Sequence, residues 1–181
     1  MFESWSRSRE PSPPPPPKAA GDKTIAIAFC CMGNICRSPM AEAIMRRRVK
    51  ETNMADIITR IDSFGTSAFH SGDGPDRRTV QTCKANGVPV SHTSRQIKTS
   101  DYHQFDYIFA MDRENLEDLN YMRPHGSRAK IELFGTYCED PKLDRIVGDP
   151  YYGGPEGFQR SFCQLDHFSI SFLKSIGRSK E

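Results

Sequence analysis

The sequence predicts an α/β fold: a doubly wound, four-stranded parallel sheet with helices on both faces and a phosphate-binding loop after the first strand. Three observations carry that expectation. Strand-like apolar runs alternate with helix-like segments over most of the chain. The first run, Ile25-Ala-Ile-Ala-Phe29, is apolar at every position, as a central strand covered on both faces must be. It leads directly into Cys31-Met-Gly-Asn-Ile-Cys-Arg37-Ser38-Pro39, a short loop at a strand end, where open α/β sheets bind their ligands.

The elements follow in order. The first strand covers residues 25–30, and Ser38 with Pro39 reads as an N-cap and first-turn proline opening a helix to about Lys50. Residues 57–63 form the second strand, which closes at Phe64-Gly65. A helix spans about Pro75 to Asn86, with Gly87 as its stop. Phe105-Asp-Tyr-Ile-Phe-Ala-Met111 is the third strand, and Asp112 caps a helix to about Met122. Residues 129–134 supply the fourth strand. In the last segment, Pro155 to Ile176, Phe158, Phe162, Leu165, Phe168, Phe172, Leu173 and Ile176 recur mostly at helical spacing, a stripe that packs on the sheet.

Residues 1–22 break this pattern. Ser, Arg and Glu precede Pro11-Ser-Pro-Pro-Pro-Pro-Pro17, so a disordered Pro-rich tail is expected, with the folded domain over 23–181. A proline run favours polyproline II, which an SH3-type partner can dock; a solvated spacer is the simpler reading.

Composition narrows the function. A chain of 181 residues with 36% hydrophobic content holds one domain with a real core. A formal charge of +2 does not point to nucleic acid, and Arg46-Arg-Arg48 reads as a solvated helix face. No apolar segment is long enough to span a membrane, and the first ten residues lack a signal-peptide core. A reducing, cytoplasmic setting is therefore expected, with free thiols among the six cysteines. Cys83, Cys138 and Cys163 stand alone, with no paired ligands for zinc. No metal or other cofactor is expected.

The spacing Cys-x5-Arg lets one loop turn around a tetrahedral oxyanion, so that N–H groups, a guanidinium and a thiol converge on one phosphorus. A free thiol has a pKa of about 8.5 and needs positive potential to become a good nucleophile. Arg37, the following helix and the loop amides supply it. Cys31 then attacks phosphorus and forms a cysteinyl phosphate. Cys30 lacks that spacing to Arg37 and reads as a buried strand residue. Arg37 forks two phosphoryl oxygens. Gly33 lets the backbone bend, and Asn34 either takes a left-handed conformation or tethers the loop through its amide. Ser38 either caps the helix or donates to the Cys31 thiolate.

Expulsion of an alkoxide or phenoxide calls for a general acid. Asp149, in Asp149-Pro-Tyr-Tyr-Gly-Gly154, can hold a carboxyl beside an aromatic leaving group, or be an ordinary turn aspartate. Asp76 and Asp112 are rivals that read well as helix-start residues.

The loop Cys31 to Pro39, followed by Ala41-Glu42-Ala43, closely resembles the low-molecular-weight protein tyrosine phosphatases. Further matches occur in family order: Asp62-Ser63, Gly65-Thr66-Ser67, Pro75-Asp76, Ser91-His92, Arg95-Gln96, Met111-Asp112, Asn115-Leu116, Lys130-Ile-Glu-Leu133 and Asp149-Pro-Tyr-Tyr-Gly153. The resemblance covers about residues 23–176. It implies metal-free hydrolysis of phosphotyrosine in proteins and of small aryl phosphates, with Asp149 as acid and base. It implies that Asn34, Ser38, Ser63 and His92 hold the loop formed by Met32, Gly33, Asn34, Ile35 and Cys36. It further implies that Phe69, Tyr151 and Tyr152 wall the substrate ring, and that Cys36 can form a disulfide with Cys31. The position of Phe69 varies among relatives and bears on substrate preference.

Two other readings compete. A thiol-dependent arsenate reductase uses a similar loop, but needs further cysteines to carry a disulfide away, and no close pair follows Cys36. A phosphate-binding adaptor recruiting an SH3 protein through its tail would leave the catalytic groups without a use.

Overall fold

Side chains on β1 (Ile25–Cys31) alternate between two cores. Ile27, Phe29 and Cys31 join one cluster, with Met40, Ile44, Phe158, Leu165 and Phe172. Ala26, Ala28 and Cys30 join the other, with Phe64, Tyr102, Phe105 and Leu119. That alternation separates the two adjacent cysteines, because each belongs to a different layer.

The computed structural model describes residues 24–178, so the expected tail, residues 1–22, lies outside the described residues. Four strands form one sheet in the order β2 (Ile58–Gly65), β1, β3 (Tyr107–Ala110), β4 (Lys130–Leu133), with every pairing parallel. The chain steps outward from β1 to β2 and then crosses to β3, which makes the β1/β3 gap the switch point of the sheet. One layer holds α1 (Arg37–Glu51), α2 (Arg77–Ala85) and α5 (Pro155–Arg178); the other holds the short α3 (Asp101–Gln104) and α4 (Arg113–Met122). Among the described residues no helix is long and apolar enough to cross a membrane.

Several boundaries depart from expectation for local reasons. Helix α1 starts at Arg37 with Cys36 at the cap position, so Ser38 lies inside the first turn and is not the N-cap. Strand β3 starts at Tyr107 because α3 occupies residues 101–104 just before it. After β4 the chain tightens into a 3-10 turn, Phe134–Tyr137. The basic run is not simply solvated. Arg48 pairs with Asp166 at 2.6 Å and Arg47 lies 3.4 Å from it, clamping α1 to α5, while Arg46 pairs with Glu42 at 2.9 Å.

Candidate active site

The loop between β1 and α1 is held from outside by its own carbonyls. Cys31 O accepts from Thr66 N (2.9 Å), Met32 O from Ser67 N (3.0 Å) and Ile35 O from Asp76 N (2.7 Å). Asn34 O accepts from Ser94 Oγ at 2.5 Å. With the acceptors turned outward, the N–H groups are left to the concave side, and Asn34 N–H lies 3.3 Å from Cys31 Sγ. The end of β2 comes so close that a Cβ on Gly65 would stand 2.6 Å from Met32 O, so only glycine fits. A Cβ on Gly33 would stand 2.9 Å from the His70 ring.

Asn34 fills both roles expected of it. Its φ of 55° is left-handed. Its amide donates to Ser38 Oγ (2.8 Å) and Ser63 Oγ (3.0 Å), while its Oδ1 accepts from Arg95 N (3.1 Å) and faces His92 Nε2 at 2.8 Å. Because Ser38 Oγ accepts from Asn34, its hydroxyl hydrogen is free for Cys31 Sγ, 3.0 Å away. The choice left open for Ser38 falls to the thiol, since it caps nothing. Behind it, Glu42 Oε2 accepts from Ser63 Oγ (2.7 Å) and pairs with His92 Nδ1 (3.1 Å). Burial pushes the Glu42 carboxyl up, yet His92, Ser63 and Arg46 together hold it below the ordinary glutamate value.

Arg37 is buried and fixed along one edge. Its Nη1 donates to Asp112 Oδ2 (2.5 Å) and Val147 O (2.9 Å). Nη2 reaches only Asp149 Oδ2, at 3.6 Å, which leaves that edge to fork an oxyanion. Burial opposes the charge, but Cys31, Asp112 and Asp149 more than offset it and keep the guanidinium above its ordinary pKa. Asp112 also caps α4 through Asn115 N (2.8 Å), so one rival acid turns out to orient the arginine. The neighbouring thiols behave differently. Burial raises Cys30 well above an ordinary thiol and pushes Cys36 up to about 12, so both stay protonated at neutral pH.

Asp149 sits opposite on the 3-10 turn Pro150–Tyr152, accepting from Tyr151 N at 3.1 Å. Arg78 positions that turn. It donates to Tyr151 O (3.1 Å) and lies over the Tyr151 ring at 5.2 Å and the Phe158 ring at 4.6 Å. Asp76, the other rival acid, holds Arg78 at 3.0 Å, and those bonds from Arg78 keep its carboxyl below the usual range. Through Ile35 O on one side and Tyr151 O on the other, Asp76 and Arg78 tie the phosphate loop to the acid loop.

These parts enclose a cavity of about 400 Å³. Cys31, Arg37 and Cys36 form its floor, Asp149 one wall, and Phe69, Tyr151 and Tyr152 the aromatic mouth. Met32, Gly33 and Ile35 line it as well, whereas Asn34, Ser38, Ser63 and His92 stand behind the loop. The structure thus brings every expected site residue to one place. The sequence reading does not name Glu42, Gly65, Arg78, Ser94 and Arg95 as supports, and reads Asp76 and Asp112 as rival acids or helix-start residues, not as the partners of Arg78 and Arg37. The matched strings had contained all of these except Arg78 and Ser94.

A parallel sheet of flavodoxin-like strand order, with a loop at its β1/β3 switch point that puts a thiol and an arginine in one cavity, defines an α/β protein built to take a phosphoryl group. Residues 26–181 match the family model described as low molecular weight phosphotyrosine protein phosphatase. The chain belongs to that family. It is 51% identical over 154 residues to the low molecular weight phosphotyrosine protein phosphatase of Schizosaccharomyces pombe, covering 85% of this chain and 98% of the relative. The human counterpart is 41% identical over 157 residues, with 86% and 98% covered. Among solved structures, a protein tyrosine phosphatase from Entamoeba histolytica superposes with a TM-score of 0.81 at 34% identity, covering 87% of this chain and all of that one.

Proposed function

We propose that this protein hydrolyses phosphotyrosine in proteins, and small aryl phosphates, through a cysteinyl-phosphate intermediate on Cys31. The observation that carries the reading is the depth of the thiol. Cys31 is 3% exposed, whereas Phe69 and Tyr152 at the mouth are 86% and 81% exposed. A phosphoryl group on an aromatic ring reaches such a floor with its ring between the aromatic walls.

In the first step Cys31 Sγ attacks phosphorus. Ser38 Oγ–H and Asn34 N–H stabilise the thiolate, and the free edge of Arg37 with the loop amides holds the equatorial oxygens. The S–P bond forms as the P–O bond breaks, and Asp149 gives its proton to the departing phenoxide. In the second step Asp149 takes a proton from water, which attacks phosphorus and releases phosphate and Cys31. Cys83, Cys138 and Cys163 do not line the cavity, so nothing favours a disulfide relay of the arsenate reductase kind.

Turnover of phosphotyrosine, phosphoserine and phenyl phosphate tests the proposal. Phosphotyrosine and phenyl phosphate are expected to exceed phosphoserine by at least about a hundredfold in kcat/KM, on the order of 3 kcal/mol of transition-state stabilisation. Equal turnover of phosphoserine contradicts the aromatic-wall argument.

The chemistry requires reduced Cys31, which favours work in the cytoplasm; recovery from an oxidising compartment on cell fractionation would contradict that. For the tail, residues 1–22, a solvated spacer is the simpler reading, and its proline run makes docking to an SH3-type domain the alternative to test. Its deletion is expected to leave kinetics on phenyl phosphate unchanged within about twofold, near the scatter of independent sites, whether it is a spacer or a docking arm, and a loss of SH3 binding on deletion would favour the docking arm. A large loss of turnover contradicts both.

A further inference from the structure

We propose that Gln164, on α5, is a positioning residue that sets the place of Arg37 through the Ile146–Val147 peptide, an inference that rests on Arg37 holding the phosphoryl oxygens as proposed above. Gln164 is buried and does not line the cavity around Cys31. Its Nε2 donates to Asp144 O at 2.8 Å and to Ile146 O at 2.9 Å. Carbonyl oxygens only accept, so the NH2 end of the amide must face them both, and its orientation is fixed.

Ile146 O and Val147 N belong to one planar peptide unit. Gln164 takes its oxygen, and Met111 O takes its N–H at 3.0 Å. Asp144 Oδ1 accepts from Ile146 N at 2.8 Å and closes the turn just before it. The Val147 side chain is fully buried in the core, which restrains the remaining torsion. The next carbonyl, Val147 O, is thereby aimed at Arg37 Nη1, from which it accepts at 2.9 Å. Met111 precedes Asp112, whose Oδ2 is the other acceptor of Nη1. The two acceptors of that edge therefore come from segments tied together by Met111 O and Val147 N, and α5 braces the second of them through Gln164.

Asp149 is held separately. Gly148 stands between it and Val147, and the turn Pro150–Tyr152 takes its position from Arg78. Loss of the Gln164 donors thus disturbs the arginine edge rather than the acid. One turn along α5, His167 offers an internal comparison: its Nε2 accepts from Glu139 N (3.2 Å) and Asp140 N (3.3 Å), bracing the same segment well before Val147.

Gln164→Met, which keeps the length of the side chain and removes both donors, tests this beside His167→Leu in the full chain. Both variants are expected to melt about 5 °C lower. Calorimetric titration with inorganic phosphate should show Kd raised about tenfold in Gln164→Met and unchanged within about twofold in His167→Leu. In Gln164→Met, kcat/KM for phenyl phosphate and for p-nitrophenyl phosphate should fall by the same factor, about tenfold or more, because proton donation by Asp149 is untouched. Should Gln164→Met not fold, Gln164→Asn, whose amide stops one methylene short of the carbonyls, carries the same expectations. A lower melt with unchanged phosphate Kd would overturn the proposal, leaving Gln164 a merely structural residue. So would an equal loss of phosphate affinity in His167→Leu, or a loss confined to the phenol leaving group, which would put Gln164 behind Asp149. Wild-type protein that binds no phosphate and turns over neither ester would refute the reading of the site itself, and this proposal with it.

Discussion

Replacing Cys31 by Ser is expected to lower kcat on phenyl phosphate by about 10⁴ or more while leaving the Kd for inorganic phosphate within about tenfold. The two effects separate because different atoms carry them. Binding rests on the loop amides and on Arg37, whose Nη1 edge is fixed by Asp112 and Val147 O and does not depend on sulfur for its position. Reaction rests on Sγ alone among the groups at the cavity floor, since Cys36 stays a thiol with its pKa pushed up to about 12. A serine hydroxyl keeps the contacts with Ser38 and Asn34 but is a far weaker nucleophile. Steady-state kinetics with phosphate titration by calorimetry measures both quantities. Retained turnover would remove Cys31 from the reaction.

The second large effect concerns the leaving group. Asp149→Ala is expected to reduce kcat/KM for phosphotyrosine by about 10² to 10⁴, the range for a positioned general acid. The loss should shrink as the leaving phenol becomes more acidic, because a stable phenoxide departs without a proton. Since kcat/KM reports the steps up to the first irreversible one, this trend isolates proton donation from the later activation of water. The geometry explains why no other carboxyl takes over: Asp112 is bonded to Arg37 and to the α4 amide, and Asp76 is held by Arg78. An equal loss across all leaving groups would make Asp149 a mere support for the turn.

Much of this arrangement was legible in the chain. The apolar run 25–30 and the Cys-x5-Arg spacing located the first strand and the loop, because strand burial and oxyanion wrapping are both local constraints. Spacing also separated Cys31 from Cys30, and the alternating faces of β1 give the physical reason. Ser38 was open, because whether a serine caps a helix depends on where that helix begins. The start at Arg37 releases its hydroxyl for the thiol. Asp112 read as a cap and is one, but a carboxylate has two oxygens, and the second meets an arginine 75 positions earlier. Arg78 carried no local signal, since its contacts with Tyr151 and Phe158 lie some 70 positions or more away. Long-range polar partners of this kind follow from sheet topology, which brings the ends of β1 and β3 side by side.

The same topology explains why the support network and the reacting groups are separable. Asn34 is the hinge between them: its backbone N–H meets the sulfur, and its side chain meets Ser38, Ser63 and His92. Ser63 and His92 meet the Asn34 side chain behind the loop, whereas Cys31, Arg37 and Asp149 line the cavity; in the proposed reaction Cys31 exchanges a bond, Asp149 a proton, and Arg37 holds the phosphoryl oxygens.

The central claim is that a phosphoryl group resides on Cys31 during turnover. Acid quenching of the protein while it hydrolyses phenyl phosphate, followed by mass spectrometry of its peptides, tests that claim most directly. A phosphoryl mass on the peptide spanning Cys31, absent from the Cys31→Ser protein, is the predicted result. Steady turnover with no phosphorylated peptide, or with phosphate on a different residue, would contradict it.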